Sequence, residues 1–184
     1  MTAEESKYET QRFDPDRHLV DGFCCGGESS LDRWLQHSAA AEAAKEVSST
    51  FVWTPPGSGE VVAYYSLLAH AVTRGDLPSR LGRGVADPVP AALIGKLALH
   101  QQLHGQGLGG QLLRDALERL VVASRSGPAF RVVVVDAIDE QAARFYGHFG
   151  FKPAPNRPER MLMHVRRVAE ALGMNSATPK SESE

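Results

Sequence analysis

The sequence predicts an α+β domain in which helices flank one mixed β-sheet. The chain has 184 residues, of which 42% are hydrophobic and 23% are charged, so it can form one domain with a substantial core. Its first half contains short apolar runs separated by turn residues, which indicate neighbouring strands. Its second half alternates strand, helix, strand, helix and strand, a pattern in which helices cover a sheet.

The first half begins with a helix predicted over residues 29–47. Its apolar side chains recur at helical spacing on one face, at Leu31, Trp34 and Leu35. Strands are predicted over 47–53 and 60–70, and the turn TPPGSG between them predicts an antiparallel hairpin. Residues 74–90 are rich in Gly, Pro and Arg and predict a loop, with a short helical turn around residues 77–81.

The second half begins with a strand predicted over residues 91–100. The strongest helix follows over 106–125, and its apolar positions have helical spacing: Leu108, Leu112, Leu113, Ala116, Leu117 and Leu120. Residues 129–137 predict a strand that is apolar enough to be buried on both faces. A helix over 139–150 ends at a glycine, and residues 160–165 predict the last strand.

The sequence shows no sign of a membrane span or a secretion signal. No run approaches the roughly 18 to 20 apolar residues that span a bilayer, and the polar, acidic start is unlike a secretion signal. We therefore expect a cytoplasmic protein with no membrane partner. We expect residues 8–172 to form one domain, with a flexible N-terminus at 1–7 and a disordered tail at 173–184.

The charge distribution leaves room for an anionic partner. The formal net charge is -2, but residues 11–169 hold 18 basic and 16 acidic residues, so the body of the chain is mildly basic. Arg74, Arg80 and Arg83 follow one another with only Asp76 to offset them. Clusters of this size are most often solvated loops, and an anionic ligand is the alternative.

A glycine cluster between strand and helix is the strongest sign of function. It comprises Gly105, Gly107, Gly109 and Gly110. Glycines let the backbone approach a ligand closely, and the helix that follows offers unpaired N–H groups and its positive dipole end to an anion such as pyrophosphate. The same glycines satisfy a dinucleotide-binding spacing, with Asp136 as the ribose acid, but too few residues follow Asp136 to complete a doubly wound sheet.

Two motifs make the sequence resemble the GCN5-related N-acetyltransferases (the GNAT family) over about residues 20–165. The first runs from His104 to Gly109 and matches the family's pyrophosphate signature, with His at the position where Gln or Arg is usual. The second is A-x-x-F-Y-x-x-x-G-F, intact from Ala142 to Phe151. The resemblance implies the GNAT fold, a mixed, mostly antiparallel sheet that is splayed at the acetyl-CoA strand and flanked by helices.

The resemblance also implies acetyl-CoA as acyl donor and assigns its contacts. The pantetheine arm would pair like an added strand with Leu97, Ala98 and Leu99. The pyrophosphate would lie on the turn formed by His104, Gly105, Gln106, Gly107, Leu108, Gly109 and Gly110. Tyr146 would be the general acid that hydrogen-bonds or protonates the leaving thiolate, although apart from the family a Tyr in this helix is more often a core aromatic.

The sequence identifies neither a general base nor a metal site. His100 and His104 have an H-x-x-x-H spacing, but the residues between them do not predict a helix and no third ligand is evident. We therefore expect no metal.

A narrower resemblance points to the acetyltransferase toxins of type II toxin-antitoxin modules. It rests on residues outside the cofactor motif: Phe23, Cys25, Gly26, Leu31, Trp34, Leu35, Arg80, Arg83, Asp87, Pro88 and Pro90. It implies acetylation of the α-amine of aminoacyl-tRNA, which blocks translation. Arg74, Arg80, Arg83 and Lys96 would contact tRNA phosphates. It further implies a homodimer, a ribbon-helix-helix antitoxin, and contact with operator DNA only through that antitoxin.

Two alternatives remain open from the sequence. An N-acetyltransferase for a small amine or a protein N-terminus would carry the same cofactor motifs. A CoA-binding regulatory module without turnover would be expected to lack Tyr146, so the presence of that residue favours an enzyme.

Overall fold

The computed structural model describes residues 7–27 and 29–174. Its strands are β1 (Glu9–Arg12), β2 (Ser49–Thr54), β3 (Ala63–Val72), β4 (Val89–Leu99), β5 (Val132–Asp136), β6 (Lys152–Ala154) and β7 (Arg157–His164). Its helices are α1 (Ser29–His37), α2 (Ala39–Ala44), α3 (Ser79–Gly82), α4 (Leu108–Ser126), α5 (Glu140–His148) and α6 (Val165–Ala171). The seven strands form one sheet in the order β1-β2-β3-β4-β5-β7-β6.

The sheet topology confirms the predicted fold class and excludes the dinucleotide-binding alternative. In the described residues, β4 and β5 are the only neighbouring strands that run parallel, and the other neighbours are antiparallel. A doubly wound dinucleotide-binding domain needs a mostly parallel sheet. The prediction of a mixed, mostly antiparallel sheet flanked by helices is therefore confirmed.

The main elements form for the reasons visible in the sequence. Residues 132–135 are all valine and at most 1% exposed, so β5 is buried on both faces. One face of α4 is buried, through Leu112, Leu113, Ala116, Leu117, Leu120 and Val121. Asp139 precedes α5, and its Oδ1 accepts a hydrogen bond from the amide of Ala142 at 2.7 Å, which caps the helix.

The first predicted helix is divided into two. Residues 29–47 form α1 and α2, which are separated at Ser38, and the chain leaves helical structure before Val47. A continuous apolar and alanine-rich pattern does not reveal such a break, because both halves satisfy the same helical spacing.

Three short elements are absent from the sequence prediction. β1 has the polar sequence ETQR, and β6 has three residues including Pro153, so neither shows the usual strand pattern. α6 begins at Val165, which the sequence predicts as the end of the last strand. His164 caps α6, because its Nδ1 accepts from the amide of Arg166 at 3.0 Å.

The predicted chain ends lie largely outside the described residues. Of the segments 1–7 and 173–184, the structure describes only Lys7, Gly173 and Met174. In the described part of the chain, no helix has the length and apolar character to cross a membrane.

Candidate active site

Strands β4 and β5 separate in the middle of the sheet. Their parallel pairing runs from Ala91 with Val132 to Ile94 with Val135 and then ends, whereas β4 continues beside β3 as far as Leu99. The end of β4, which includes the predicted pantetheine contacts Leu97, Ala98 and Leu99, thus has one edge that β5 does not cover. Such an edge offers N–H and C=O groups to an extended ligand.

A glycine allows the sheet to tighten where the strands separate. The pairing of β3 with β4 shifts register between Ser66 and Leu67, opposite Gly95. A Cβ on Gly95 would lie 2.5 Å from Leu68 Cδ1 and 3.3 Å from Ser66 Oγ. A side chain at this position would require Leu68 to shift, so glycine favours the close packing of β3 across the bulge.

The glycine turn after β4 exposes the start of α4. Gly105 and Gly107 have φ of 74° and 73°, a conformation that other residues adopt at a cost of about 1–2 kcal/mol. Gly107 is the residue before α4 and has no side chain to cap it. The first amides of α4, from Leu108 to Gly110, are therefore available to an anion at the positive end of a 19-residue helix.

The other two glycines lie against aromatic side chains, and the approach is tight only at Gly110. A Cβ on Gly110 would lie 2.7 Å from Phe149 Cζ, and one on Gly109 would lie 3.6 Å from the Phe145 ring. The start of α4 thus rests on the aromatic residues of the A-x-x-F-Y-x-x-x-G-F motif. The two motifs are joined by direct contact, which their separation in the sequence does not reveal.

Two side chains of the turn, those of His104 and Gln106, contact backbone carbonyl oxygens and so stabilise its conformation. His104 Nε2 lies 2.9 Å from the carbonyl oxygen of Leu99, so the ring connects the turn to the end of β4. Gln106 Nε2 donates to the carbonyl of Gln102 at 3.0 Å. The backbone amides, rather than these side chains, are therefore the groups left to bind an anion.

Tyr146 is a buried phenol. It is 9% exposed, and its ring makes edge contacts with Phe145 and Phe151 at centroid distances of 5.2 and 5.8 Å. Its hydroxyl has no hydrogen-bond partner among residues 7–27 and 29–174. Burial raises the pKa of Tyr146 to about 12, so the phenol is protonated at neutral pH and can donate a hydrogen bond.

The side chain of His100 contacts neighbouring residues. Its Nδ1 accepts a hydrogen bond from the amide of Gln102 at 3.3 Å, and its ring meets the ring of Phe23 edge-on. The described residues contain no group of three or more His, Cys, Asp or Glu side chains that could hold a metal ion.

The four predicted phosphate contacts do not form one patch. Arg74 is exposed, and its amide donates to Asp87 Oδ1 at 2.9 Å. Arg80 and Arg83 are also exposed, on α3 and just after it. Lys96 is half-buried against α1, where its Nζ lies 5.5 Å from the centre of the Trp34 ring.

Arg80 instead lines a basic cleft that sequence reasoning missed. The cavity has a volume of about 670 Å³, and its ionisable side chains are Arg80, Lys152, His164, Arg166, Arg167 and Glu170. Glu170 is 3.9 Å from Arg166, and in the described part of the chain no carboxylate pairs with the other Arg and Lys residues of the cleft. The adjacent arginines of α6 are visible in the sequence, but their meeting with α3 is not.

Asp136 lies where β5 leaves β4, and its carboxylate is already engaged. Both of its oxygens accept hydrogen bonds from Arg160, at 2.7 and 2.8 Å, and Arg160 Nη1 lies 3.1 Å from His70 Nε2. Hydrogen bonding from Arg160 lowers the pKa of Asp136, so this group is an anion at neutral pH. It is not the free ribose-binding acid that the dinucleotide alternative required.

Comparisons with known proteins agree with this geometry. The acetyltransferase (GNAT) domain family matches residues 56–153. A protein of Mycobacterium tuberculosis (strain ATCC 25618 / H37Rv) called tRNA-acetylating toxin is 35% identical over 168 residues, which cover 91% of this chain and 99% of that protein. A protein of Sinorhizobium fredii (strain NBRC 101917 / NGR234) called probable toxin TacT is 29% identical over 171 residues, covering 88% and 93%.

Solved structures share the fold. AtaT complexed with acetyl-methionyl-tRNAfMet matches with a TM-score of 0.80 at 21% identity, covering 89% of this chain and 98% of that one. A mutant AtaT toxin bound to the C-terminus of the antitoxin AtaR and acetyl-CoA matches at 0.76 and 20%, covering 89% and 97%. The AtaT-AtaR complex bound to DNA matches at 0.70 and 22%, covering 88% and 97%.

Proposed function

Because the chain belongs to the GNAT acetyltransferase family, we propose that it transfers the acetyl group of acetyl-CoA to the α-amine of aminoacyl-tRNA and so acts as a toxin that blocks translation. The observation that carries this proposal is the 35% identity to a tRNA-acetylating toxin, which extends over 99% of that relative. The acceptor is thus inferred from similarity along the whole chain, whereas the donor is also supported by the geometry of the site.

The uncovered edge of β4 and the glycine turn fit acetyl-CoA. The amides from Leu108 to Gly110 would hold the pyrophosphate, with Gly105 and Gly107 shaping the turn. The backbone of Leu97, Ala98 and Leu99 would pair with the pantetheine amides. His104 and Gln106 would act by holding this loop in shape, since their ring and amide nitrogens bind backbone carbonyls.

Tyr146 would assist departure of the thiolate. Acetyl-CoA supplies a thioester, whose carbonyl carbon forms a bond to the amine nitrogen while its C–S bond breaks. The amine loses a proton to water, and the phenol of Tyr146 donates a hydrogen bond to the sulfur as negative charge develops there. An α-amine has a pKa of about 7.7–8.0, against about 10.4 for lysine, so a useful neutral fraction exists without a dedicated base.

The basic cleft would bind tRNA phosphates. Arg80, Lys152 and Arg167 are cations with no paired carboxylate in the described part of the chain, which suits contact with a polyanion. Arg74 and Arg83 lie on the adjoining loop and would extend this surface. Lys96 is part of the proposal as a separate contact near Trp34.

The proposed partners come from the similarity to the tRNA-acetylating toxin and to the AtaT–AtaR structures. An antitoxin would hold the toxin inactive, and DNA contact would be made through that antitoxin. Aminoacyl-tRNA is available in the cytoplasm, where we propose that the protein acts. Residues 8–172 would be the catalytic domain. The homodimer remains a prediction.

The test is incubation of the purified chain with a pool of charged tRNAs and labelled acetyl-CoA. We expect label on the amino acid, released as N-acetyl amino acid when mild alkali cleaves the ester. Uncharged tRNA is the control, and small amines and peptides with free N-termini are parallel acceptors. Label on amines or peptides but not on aminoacyl-tRNA would contradict the proposal and support the alternative acetyltransferases. Binding of acetyl-CoA without any transfer would support the regulatory module.

Charge reversal tests the cleft. Replacing Arg80 and Arg167 by Glu should weaken tRNA acetylation and reduce its salt dependence. The matched control is Arg12→Glu, because Arg12 is exposed on β1 at the opposite edge of the sheet. Equal activity of the cleft variant and the control would contradict the proposal that the cleft binds tRNA phosphates.

A further inference from the structure

The first polar side chain of β5 lies where the sheet opens. β5 consists of four buried valines followed by Asp136, and the pairing of β4 with β5 ends one residue earlier, at Ile94 and Val135. Under the proposed function, the pantetheine arm leaves the glycine turn and follows β4 from Leu99 towards Leu97. Its acetyl thioester is therefore carried towards this opening, on the side of Asp136.

Asp136 and Tyr146 face opposite sides of the sheet. Side chains alternate between the faces of a strand, so Asp136 shares the face of Val134, which packs with Leu162 in one core cluster. Tyr146 belongs to another core cluster, together with the buried side chains of α4. A thioester in the opening thus has the phenol on one side, and an acceptor that approaches from the other side meets the carboxylate.

The carboxylate of Asp136 is held in place but can accept further hydrogen bonds. Arg160, its direct partner in the pairing of β5 with β7, donates to both oxygens at 2.7 and 2.8 Å. The Arg160 side chain is 12% exposed, and its Nη1 also lies 3.1 Å from His70 Nε2. The Asp136 side chain is 41% exposed, and an ionised carboxylate has about four acceptor sites, so two sites remain for a ligand.

The negative charge of Asp136 suits an attacking amine. When the amine nitrogen bonds to the thioester carbon, positive charge develops on the nitrogen, the C–S bond breaks, and its electron pair leaves on the sulfur. A fixed anion beside the nitrogen stabilises that charge without having to reorganise. Hydrogen bonding from Arg160 lowers the pKa of Asp136, so the carboxylate stays ionised and the proton passes on to water.

We propose that Asp136 is a catalytic residue that binds the α-amine of the aminoacyl acceptor and stabilises the positive charge that forms on its nitrogen during attack. Arg160 is a positioning residue, since it acts by orienting the carboxylate. The assignment rests on the proposed function, because it takes the aminoacyl α-amine as the acceptor. It gives the cross-strand pair a role beyond stability, to which exposed ion pairs contribute little.

Two acylated tRNAs test the contact without any change to the protein. One carries its amino acid, and the other carries the matching desamino acid, in which hydrogen replaces the α-amine. Binding to the wild-type chain is measured at neutral pH with CoA present, because CoA has no acetyl group to transfer. The aminoacyl-tRNA should bind about tenfold more tightly, the lower end of the range for a hydrogen bond to a charged group. Equal affinity would overturn the proposal.

Asp136→Asn removes the charge and nearly keeps the shape of the side chain. The variant should bind the two tRNAs with equal affinity, and its kcat/KM for charged tRNA should fall about tenfold. Its affinities for the desaminoacyl-tRNA and for acetyl-CoA should stay within about twofold of the wild-type values. A purely structural ion pair would instead weaken both tRNAs alike or lower only the melting temperature, and either result would overturn the proposal.

Arg160→Gln tests the positioning role. This variant should lose most of the preference for aminoacyl-tRNA and keep its affinity for acetyl-CoA. The double variant of Asp136→Asn and Arg160→Gln should show no further loss than Asp136→Asn alone, since the two residues act as one unit. Losses that add in the double variant would contradict the positioning role.

Glu159→Gln is the matched control. Glu159 precedes Arg160 on β7 and is an exposed carboxylate that pairs with Arg157 at 3.2 Å. The variant changes the net charge as Asp136→Asn does, but strand alternation directs Glu159 to the other face. Loss of the preference for aminoacyl-tRNA in this variant would contradict the proposal.

Transfer of acetyl to charged tRNA by the wild-type chain is assayed separately. Absence of transfer would contradict the proposed function. Transfer to charged tRNA without any preference for the α-amine in binding would contradict only the assignment of Asp136.

Discussion

Replacing Tyr146 by Phe removes one hydroxyl from the candidate site and leaves the ring in place. The edge contacts with Phe145 and Phe151 involve the ring, and the hydroxyl has no hydrogen-bond partner in the described part of the chain. The free energy of unfolding should therefore change by less than about 1 kcal/mol. A role in catalysis can thus be measured without loss of the fold.

The expected loss of rate follows from the pKa of Tyr146. Burial raises that pKa to about 12, whereas a thiol has a pKa of about 8.5, so complete proton transfer to the sulfur would be uphill by roughly 5 kcal/mol. The phenol would therefore stabilise the thiolate as a hydrogen-bond donor. A hydrogen bond to a charged group contributes about 1.5–3 kcal/mol, which corresponds to a fall in kcat of roughly 10- to 150-fold.

The assay is acetyl transfer to charged tRNA at saturating acetyl-CoA, with calorimetric binding and thermal melting of the same samples. We expect Tyr146→Phe to lower kcat in that range and to leave the dissociation constant for acetyl-CoA and the melting temperature unchanged. A kcat within twofold of the wild-type value would refute the role. Lost cofactor binding or a large drop in melting temperature would assign Tyr146 to the core instead.

Three further predictions test the turn, the core and the ion pair. Gly107→Ala should weaken acetyl-CoA binding several-fold because alanine resists a φ of 73°, whereas Gly75→Ala, with open space around its Cβ, should not; equal binding would contradict the turn geometry. Phe151→Ala should lower the free energy of unfolding by about 3–5 kcal/mol in a denaturant titration, since Phe151 is 1% exposed; a loss below about 1 kcal/mol would contradict its core position. Folding lowers the pKa values of His70 and Asp136, so as the pH falls the unfolded chain binds protons at these groups before the folded chain does. The melting temperature should therefore decrease as the pH is lowered past about 6.5, and decrease further near pH 4. A melting temperature that does not change with pH would contradict this prediction.

The sequence alone was sufficient to predict the fold class and the glycine turn that begins α4. Four consecutive valines predict a buried β5, and the glycine turn before a leucine-rich helix predicts an anion site at the start of α4. Both inferences depend on local pattern, which a single sequence displays directly.

The missing parts depend on contacts between distant segments. Gly105 and Gly107 shape the turn, whereas Gly110 packs against Phe149, and the sequence does not distinguish these two roles. The basic cleft combines Arg80 with Arg167, which are far apart in the chain. Lys96 lies apart from the arginines, because its position on β4 places its Nζ 5.5 Å from the centre of the Trp34 ring, a contact that the sequence does not reveal.

The most direct test of the central claim is mass analysis of aminoacyl-tRNA from cells that express the chain without an antitoxin. Charged tRNA is isolated at growth arrest and digested to its terminal aminoacyl-adenosine, with cells expressing Tyr146→Phe as the control. The account predicts N-acetylated aminoacyl-adenosine in arrested cells and much less of it in the control. Growth arrest with aminoacyl-adenosine unmodified in both would contradict it.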